Sequence, residues 1–306
     1  MSTASSSDRI VKIAEMSARD GLQNEQQSIS AECKIALVNR LADAGLRYIE
    51  AGSFVSPKWV PQMANSNVVF AGITRKNGVT YAALTPNMRG WENALAANVD
   101  EVAVFASASE SFSQKNLNCD IATSLSRFEP VVAAARQHGI AVRGYVSCIL
   151  DCPYDGAISP SSVEKVTHHL LAMGCYQVSL GDTIGTGTPG RTRTLLHYLN
   201  QTFKPEQLAL HMHDTYGQAI ANIFVGLDHG IRTFDASTAG LGGCPYAQGA
   251  SGNVATEDLV YLLDREGFYH GIDLDELCRT GEWISQQLNK SYTARAGRGI
   301  RSKACI

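Results

Sequence analysis

Eight short apolar runs of strand character, each followed by a longer run of helical spacing, recur along almost the whole chain, and this alternation restricts the folds open to it. The runs lie at 10–15, 46–50, 79–84, 101–106, 141–146 and 177–180, in the segment entering Leu210-His211-Met212-His213, and at 233–236. Between them, helices are expected over about 30–44, closed by Gly45, then after Pro61, through Trp91 and Leu95, over 121–138, ended by Gly139, from near Ser161, and from Gly217 onward. Strand and helix in strict alternation build a parallel sheet, and eight such units close one barrel more readily than they form two open sheets. The expectation is therefore an α/β chain folded as a (β/α)8 TIM barrel in a single domain, 1–306. The barrel would occupy about 9–270, and a helical extension about 271–306 would add one helix from Asp273 to about Asn289. The units differ too much in sequence to be a close repeat.

At 306 residues, 44% of them hydrophobic, the chain can bury a large core. A formal net charge of -3 without a long basic run argues against nucleic acid or an anionic membrane as the main partner. The polar start, Met1 to Asp8, lacks the apolar core of a secretory signal, and no later apolar run is long enough to cross a bilayer. The cysteines show no paired zinc-finger spacing and read as free thiols in a reducing cytoplasm.

A barrel of this kind carries its active site at the C-terminal ends of the strands, and the unusual residues of this chain fall there. The first run opens into Glu15-Met16-Ser17-Ala18-Arg19-Asp20-Gly21, the second into Glu50-Ala51-Gly52-Ser53, the sixth into Gly181-Asp182-Thr183-Ile184-Gly185. Alternate residues of a strand share a face, so His211 and His213 project to the same side. Taken alone the pair fits a metal ion or two ordinary hydrogen-bonded histidines equally well. Asp20 and Asn253 are the best-placed oxygen donors to complete a site, although Asp20 also reads as a turn residue paired with Arg19, and Asn253 as a helix cap. A mixed nitrogen and oxygen set favours Mg²⁺ or Mn²⁺ over a closed zinc site. Cys244 stands in a glycine-rich segment that suits either a loop closing over a substrate or a buried turn with an inert thiol.

Taken together, Arg19-Asp20-Gly21-Leu22-Gln23-Asn24-Glu25, Ser53 to Gln62, Gly181 to Gly185, the histidine pair and Gly240-Leu241-Gly242-Gly243-Cys244-Pro245-Tyr246-Ala247 resemble the 3-hydroxy-3-methylglutaryl-coenzyme A lyases from about Ile10 to Leu263. The resemblance implies a metal-dependent TIM-barrel enzyme of the leucine-catabolic and ketone-body type. It would split a tertiary 3-hydroxyacyl-coenzyme A substrate into acetyl-coenzyme A and a keto acid such as acetoacetate. Carried onto matching positions, it implies Asp20, His211, His213 and Asn253 as ligands of a divalent cation. It further implies Arg19 facing the thioester oxygen, Cys244 in proton transfer in either direction, and Glu50 and Asp182 as supporting carboxylates. The latter two also read as strand-end carboxylates paired with Arg19 or Arg143.

This chain departs from the family pattern at Ser17-Ala18, where Gly-Pro is usual, at Gln26, where lysine is common, and at Asp151 and Asp155, where glycine and glutamate are usual. Asp151 reads as a carboxylate pointing into water in preference to one that reshapes the mouth of the site. None of these positions is an implied ligand, so the chemistry is expected to hold while the acyl group stays open to a longer or differently branched chain. Two competing functions are a Claisen-type synthase joining acetyl-coenzyme A to a 2-oxo acid, and a barrel that binds a coenzyme A ester without cleaving it. A homodimer or higher homo-oligomer is the expected assembly.

Overall fold

A computed structural model of the chain describes residues 9–243 and 252–303. The eight runs form eight parallel strands, β1 (Lys12–Glu15), β2 (Tyr48–Ser53), β3 (Thr80–Leu84), β4 (Glu101–Ser107), β5 (Ala141–Ser147), β6 (Gln177–Asp182), β7 (Leu208–Met212) and β8 (Thr233–Ala236). Each pairs with its neighbours in sequence, and β1 pairs with β8 through Lys12↔Thr233 to Glu15↔Ala236, so the barrel closes. Both faces of these strands are covered, which is why they read as continuous apolar runs. Ala14, Met16, Tyr48, Ala82, Leu84, Ala103 and Tyr145 pack together on one side, and the alternate residues, among them Ile13, Ile49, Ala83 and Val104, join the helices in the main core. Small alanines on β1, β3 and β4 leave room for the two tyrosines and for the Arg143–Asp235 ion pair, 2.7 Å long and buried.

Around the strands run α1 (Ala31–Asp43), α2 (Ser66–Gly72), α3 (Met88–Ala96), α4 (Glu110–Leu117), α5 (Ile121–Gln137), α6 (Pro160–Met173), α7 (Pro189–Leu199), α8 (Ala219–Asp228) and α9 (Thr256–Glu266). Side-chain caps fix several starts: Ser30, Asn87, Ser109, Asp120 and Ser159 each accept a backbone N–H from the first turn. Gly45 and Gly139 take positive φ just after α1 and α5, as their positions in the sequence suggest.

The periodicity passed over α4, α7 and α11 (Arg295–Lys303), which follows α10 (Leu274–Gln287), so the extension holds two helices where one was expected. Their sequences explain this. α4 is short and largely polar, α7 opens on Pro189-Gly190, and α11 carries Gly297 and Gly299, which weaken intrinsic helix preference. No helix among the described residues is long and apolar enough to cross a membrane.

Candidate metal centre and active site

Beyond β1 the chain makes a single wide turn, Ser17–Gly21, with the Gly21 N–H donating to Met16 O at 3.0 Å. This turn places Arg19 and Asp20 side by side at the barrel mouth. Arg19 Nε donates to Glu50 Oε2 at 2.6 Å, and its Nη1 to Asp20 Oδ1 at 2.7 Å. The guanidinium also lies 5.8 Å from the centre of the Tyr145 ring. Held on two sides by carboxylates and on a third by an aromatic face, Arg19 has little freedom to turn. Burial pushes the Asp20 carboxyl up, but Arg19, His211 and His213 outweigh it and hold the group well below the usual carboxylate range. At Glu50 burial dominates and raises the carboxyl despite Arg19.

His211, near the end of β7, and His213, just past it, have their rings turned toward one another, Nε2 to Nε2 at 3.2 Å, and His211 Nε2 lies 3.8 Å from Asp20 Oδ2. The other nitrogen of His211, Nδ1, lies 3.1 Å from Asp235 Oδ2 on β8. Burial raises the Asp235 carboxyl, but Arg143 and His211 pull it down to about 2, so it is ionised. A carboxylate can only accept, so Nδ1 donates. In the neutral ring that leaves Nε2 with its lone pair facing His213. For His211 the cost of burial is outweighed by Asp235, and its pKa is raised; among the described residues no carboxylate hydrogen-bonds to His213, and burial together with His211 outweighs Asp20 and lowers it to about 4.

Asn253 approaches from the far side of the β8 loop, joined to His213 by a backbone bridge. Its Nδ2 donates to Asp20 Oδ2 at 2.8 Å and to Leu241 O at 3.1 Å. Both partners are acceptors, which fixes the orientation of the amide and leaves Oδ1 buried without a hydrogen-bond partner among the described residues. Asn253 does not cap α9, whose cap position is Ala255. Asp20, His211 and His213 can hold a metal ion, their ligand atoms lying within 4.8 Å of one another. The orphaned Asn253 oxygen fits such an ion, since a buried acceptor without a donor is otherwise costly, and the two facing imidazole nitrogens can both turn lone pairs to it.

Asp182, at the end of β6, accepts the Gly187 N–H on Oδ2 at 2.9 Å, and its Oδ1 is buried and unpaired among the described residues. Burial pushes it up to about 6. Among the described residues no hydrogen bond joins it to Arg19 or to the histidines. Arg143 pairs with Asp235 rather than with Glu50 or Asp182. Cys244 lies outside the described residues. Asp151 does not point into water: it takes a two-pronged contact from Arg191, with Nη2 to Oδ1 at 2.8 Å, and accepts from Thr186 Oγ1 at 2.6 Å, tying the β5 loop to the β6 loop. The sequence reading missed Asp235. A carboxylate between Phe234 and Ala236 in a strand buried on both faces was the signal available for it.

Residues 10–284 match the HMGL-like family. The chain is 57% identical over 294 residues to the 3-hydroxy-3-isohexenylglutaryl-CoA/hydroxy-methylglutaryl-CoA lyase of Pseudomonas aeruginosa, covering 96% of this chain and 98% of that one. It is 51% identical to the hydroxymethylglutaryl-CoA lyase of Pseudomonas mevalonii, over 96% and 98% of the two chains. The crystal structure of hydroxymethylglutaryl-CoA lyase from Pseudomonas aeruginosa superposes with a TM-score of 0.94 at 57% identity, over 96% of this chain and 98% of that one.

Proposed function

The chain belongs to the HMGL-like family, and from that premise we infer that it is a carbon–carbon lyase cleaving 3-hydroxy-3-methylglutaryl-coenzyme A to acetyl-coenzyme A and acetoacetate. The observation that carries the assignment to a site is the convergence of Arg19, Asp20, His211, His213 and Asn253 at one end of the barrel. In the reaction the bond between the carbinol carbon and the methylene next to the thioester breaks. The hydroxyl oxygen loses its proton and becomes the ketone of acetoacetate. The electron pair of the broken bond passes to the acetyl unit as an enolate, which takes a proton.

Asp20, His211, His213 and Asn253 would hold Mg²⁺ or Mn²⁺, which when bound acts as a Lewis acid on the substrate's hydroxyl and distal carboxylate. Arg19, immobilised by Glu50 and Asp20, faces the thioester oxygen and stabilises the negative charge that grows there; its fixed orientation makes the contact stronger in the transition state than in the ground state. Glu50 acts through Arg19. Asp182, raised toward neutrality by burial, holds or passes a proton at Oδ1. Cys244 serves proton transfer at the hydroxyl or at the enolate. The isohexenyl substrate in the name of the Pseudomonas aeruginosa relative supports a second reading, in which this chain accepts longer branched acyl groups as well.

The barrel, about 9–270, and the extension, about 271–306, act as one lyase domain, a view supported by the contacts of Tyr292 with α9 and of Thr293 with the β8 loop. A homodimer or higher homo-oligomer is the proposed assembly, and the cytoplasm, supported by six free cysteines among the described residues, the proposed compartment.

Incubation with 3-hydroxy-3-methylglutaryl-coenzyme A and Mg²⁺ or Mn²⁺ should release acetyl-coenzyme A and acetoacetate in equal amounts, and chelation should stop it. Turnover unaffected by exhaustive chelation would remove the metal from the reading. Free coenzyme A formed only when a 2-oxo acid is supplied would replace the lyase with a synthase. Substrates with an isohexenyl in place of the methyl group measure how far the acyl pocket extends.

A further inference from the structure

The stretch from Tyr292 into the first turn of α11 touches α9 and the loops after β7 and β8. Tyr292 OH donates to Glu257 Oε1 at 3.0 Å, and Thr293 Oγ1 to Ala239 O at 2.8 Å. Arg295 Nη1 reaches Asp214 Oδ2 at 2.6 Å, next to His213, and Ala296 N–H donates to Asp258 Oδ1 at 2.6 Å. Ala239 is the notable member of this set. Its φ of 60° lies in the left-handed region that side chains with a Cβ avoid. Its N–H is shared by both oxygens of Glu257, at 3.0 and 2.9 Å, so Glu257 and Thr293 grip the residue by its N–H and its C=O. Two residues on, Leu241 O takes one of the two hydrogen bonds that orient the Asn253 amide and leave its Oδ1 unpaired among the described residues.

The seat of Tyr292 is built for it. A Cβ at Gly281 or at Gly297 would collide with the Tyr292 side chain, so two helices carry glycine where the ring passes.

We propose that Tyr292 and Thr293 are positioning residues for the metal site: they clamp the left-handed turn at Ala239, and through Leu241 O that turn holds the Asn253 amide with its oxygen free to ligate. The proposal rests on the reading of Asn253 as a ligand. Mn²⁺ binding to metal-free protein, followed by calorimetry or electron paramagnetic resonance, tests it without substrate. Thr293→Val, which removes the hydroxyl at constant shape, should raise the Mn²⁺ Kd about tenfold or more, and Thr293→Val with Tyr292→Phe should raise it further. Thr293→Ser keeps the hydroxyl and should restore affinity to near that of the unaltered protein. A Kd unchanged in Thr293→Val, with the circular dichroism spectrum of the parent, overturns the clamp; this single variant decides even if the double one does not fold. A parallel loss of affinity in Thr293→Val and Thr293→Ser also overturns it, because the hydroxyl would not be the cause. Unaltered protein that binds no Mn²⁺ overturns the ligand reading itself, and the clamp with it.

Discussion

His211 and Asp235 stand in register on β7 and β8, and the 3.1 Å contact between His211 Nδ1 and Asp235 Oδ2 turns the opposite ring nitrogen toward His213 Nε2, 3.2 Å away. Asp235 also accepts from Arg143 at 2.7 Å and from Ser179 Oγ at 2.7 Å, so its own position is fixed. A carboxylate that holds a ligand histidine sets both its tautomer and its basicity. Asp235→Asn should weaken Mn²⁺ binding by about 10–100-fold. It should also destabilise the fold by about 3–5 kcal/mol, because Arg143 is left as a buried charge without a counter-ion. Metal titration and thermal unfolding of the same preparation separate the two effects; an unchanged Kd would confine Asp235 to charge balance with Arg143.

Arg19 spends Nε on Glu50 and Nη1 on Asp20, a division that a single ammonium cannot reproduce. Arg19→Lys keeps the charge but loses the fork. Its expected effect is a fall in kcat of about 10²–10³, the range seen when one oriented donor to a developing oxyanion is removed. KM should move far less. A rise in KM with kcat preserved would instead mean that Arg19 contributes to ground-state binding only.

Asp182 gives a pH dependence with a definite sign. Its carboxyl, ordinarily near 3.8, is pushed up to about 6 by burial, so the folded protein holds the proton more tightly than the unfolded chain does. The stabilisation is therefore fully present below about pH 3.8 and is lost as pH rises through about 6. In metal-free protein, the stability of Asp182→Asn relative to the parent should rise between pH 5 and pH 7.5 by about 1.4 kcal/mol, roughly half of the ~3 kcal/mol that the whole shift carries from below pH 3.8 upward. Parallel melting curves for the two proteins across that range would show that Asp182 does not titrate there.

Cys244 is assigned by its sequence block alone. Cys244→Ala should lower kcat by about 10²–10⁴, the usual span for loss of a proton-transfer group, with an unaltered far-ultraviolet circular dichroism spectrum. Near-normal turnover would return Cys244 to the role of an inert turn residue.

Local pattern was enough to define much of this protein. The eight strands come within about three residues of their expected limits because each is an apolar run bounded by turn residues, and strict alternation with helices leaves little choice but a closed parallel sheet. Period-two geometry likewise put His211 and His213 on one face, and adjacency in the chain put Asp20 beside Arg19. What the sequence could not decide was partner choice between segments far apart in it. That Asp151 meets Arg191 rather than water, that Arg143 meets Asp235 rather than Glu50, and that Tyr292 reaches back to Glu257 are outcomes of packing, in which every buried charge or hydroxyl must find a counterpart among those the closed barrel brings within reach. The orientation of the Asn253 amide belongs to the same class. It is set by Asp20 and Leu241, 233 and 12 residues away along the chain, and only the closing of β8 onto β1 brings the three together.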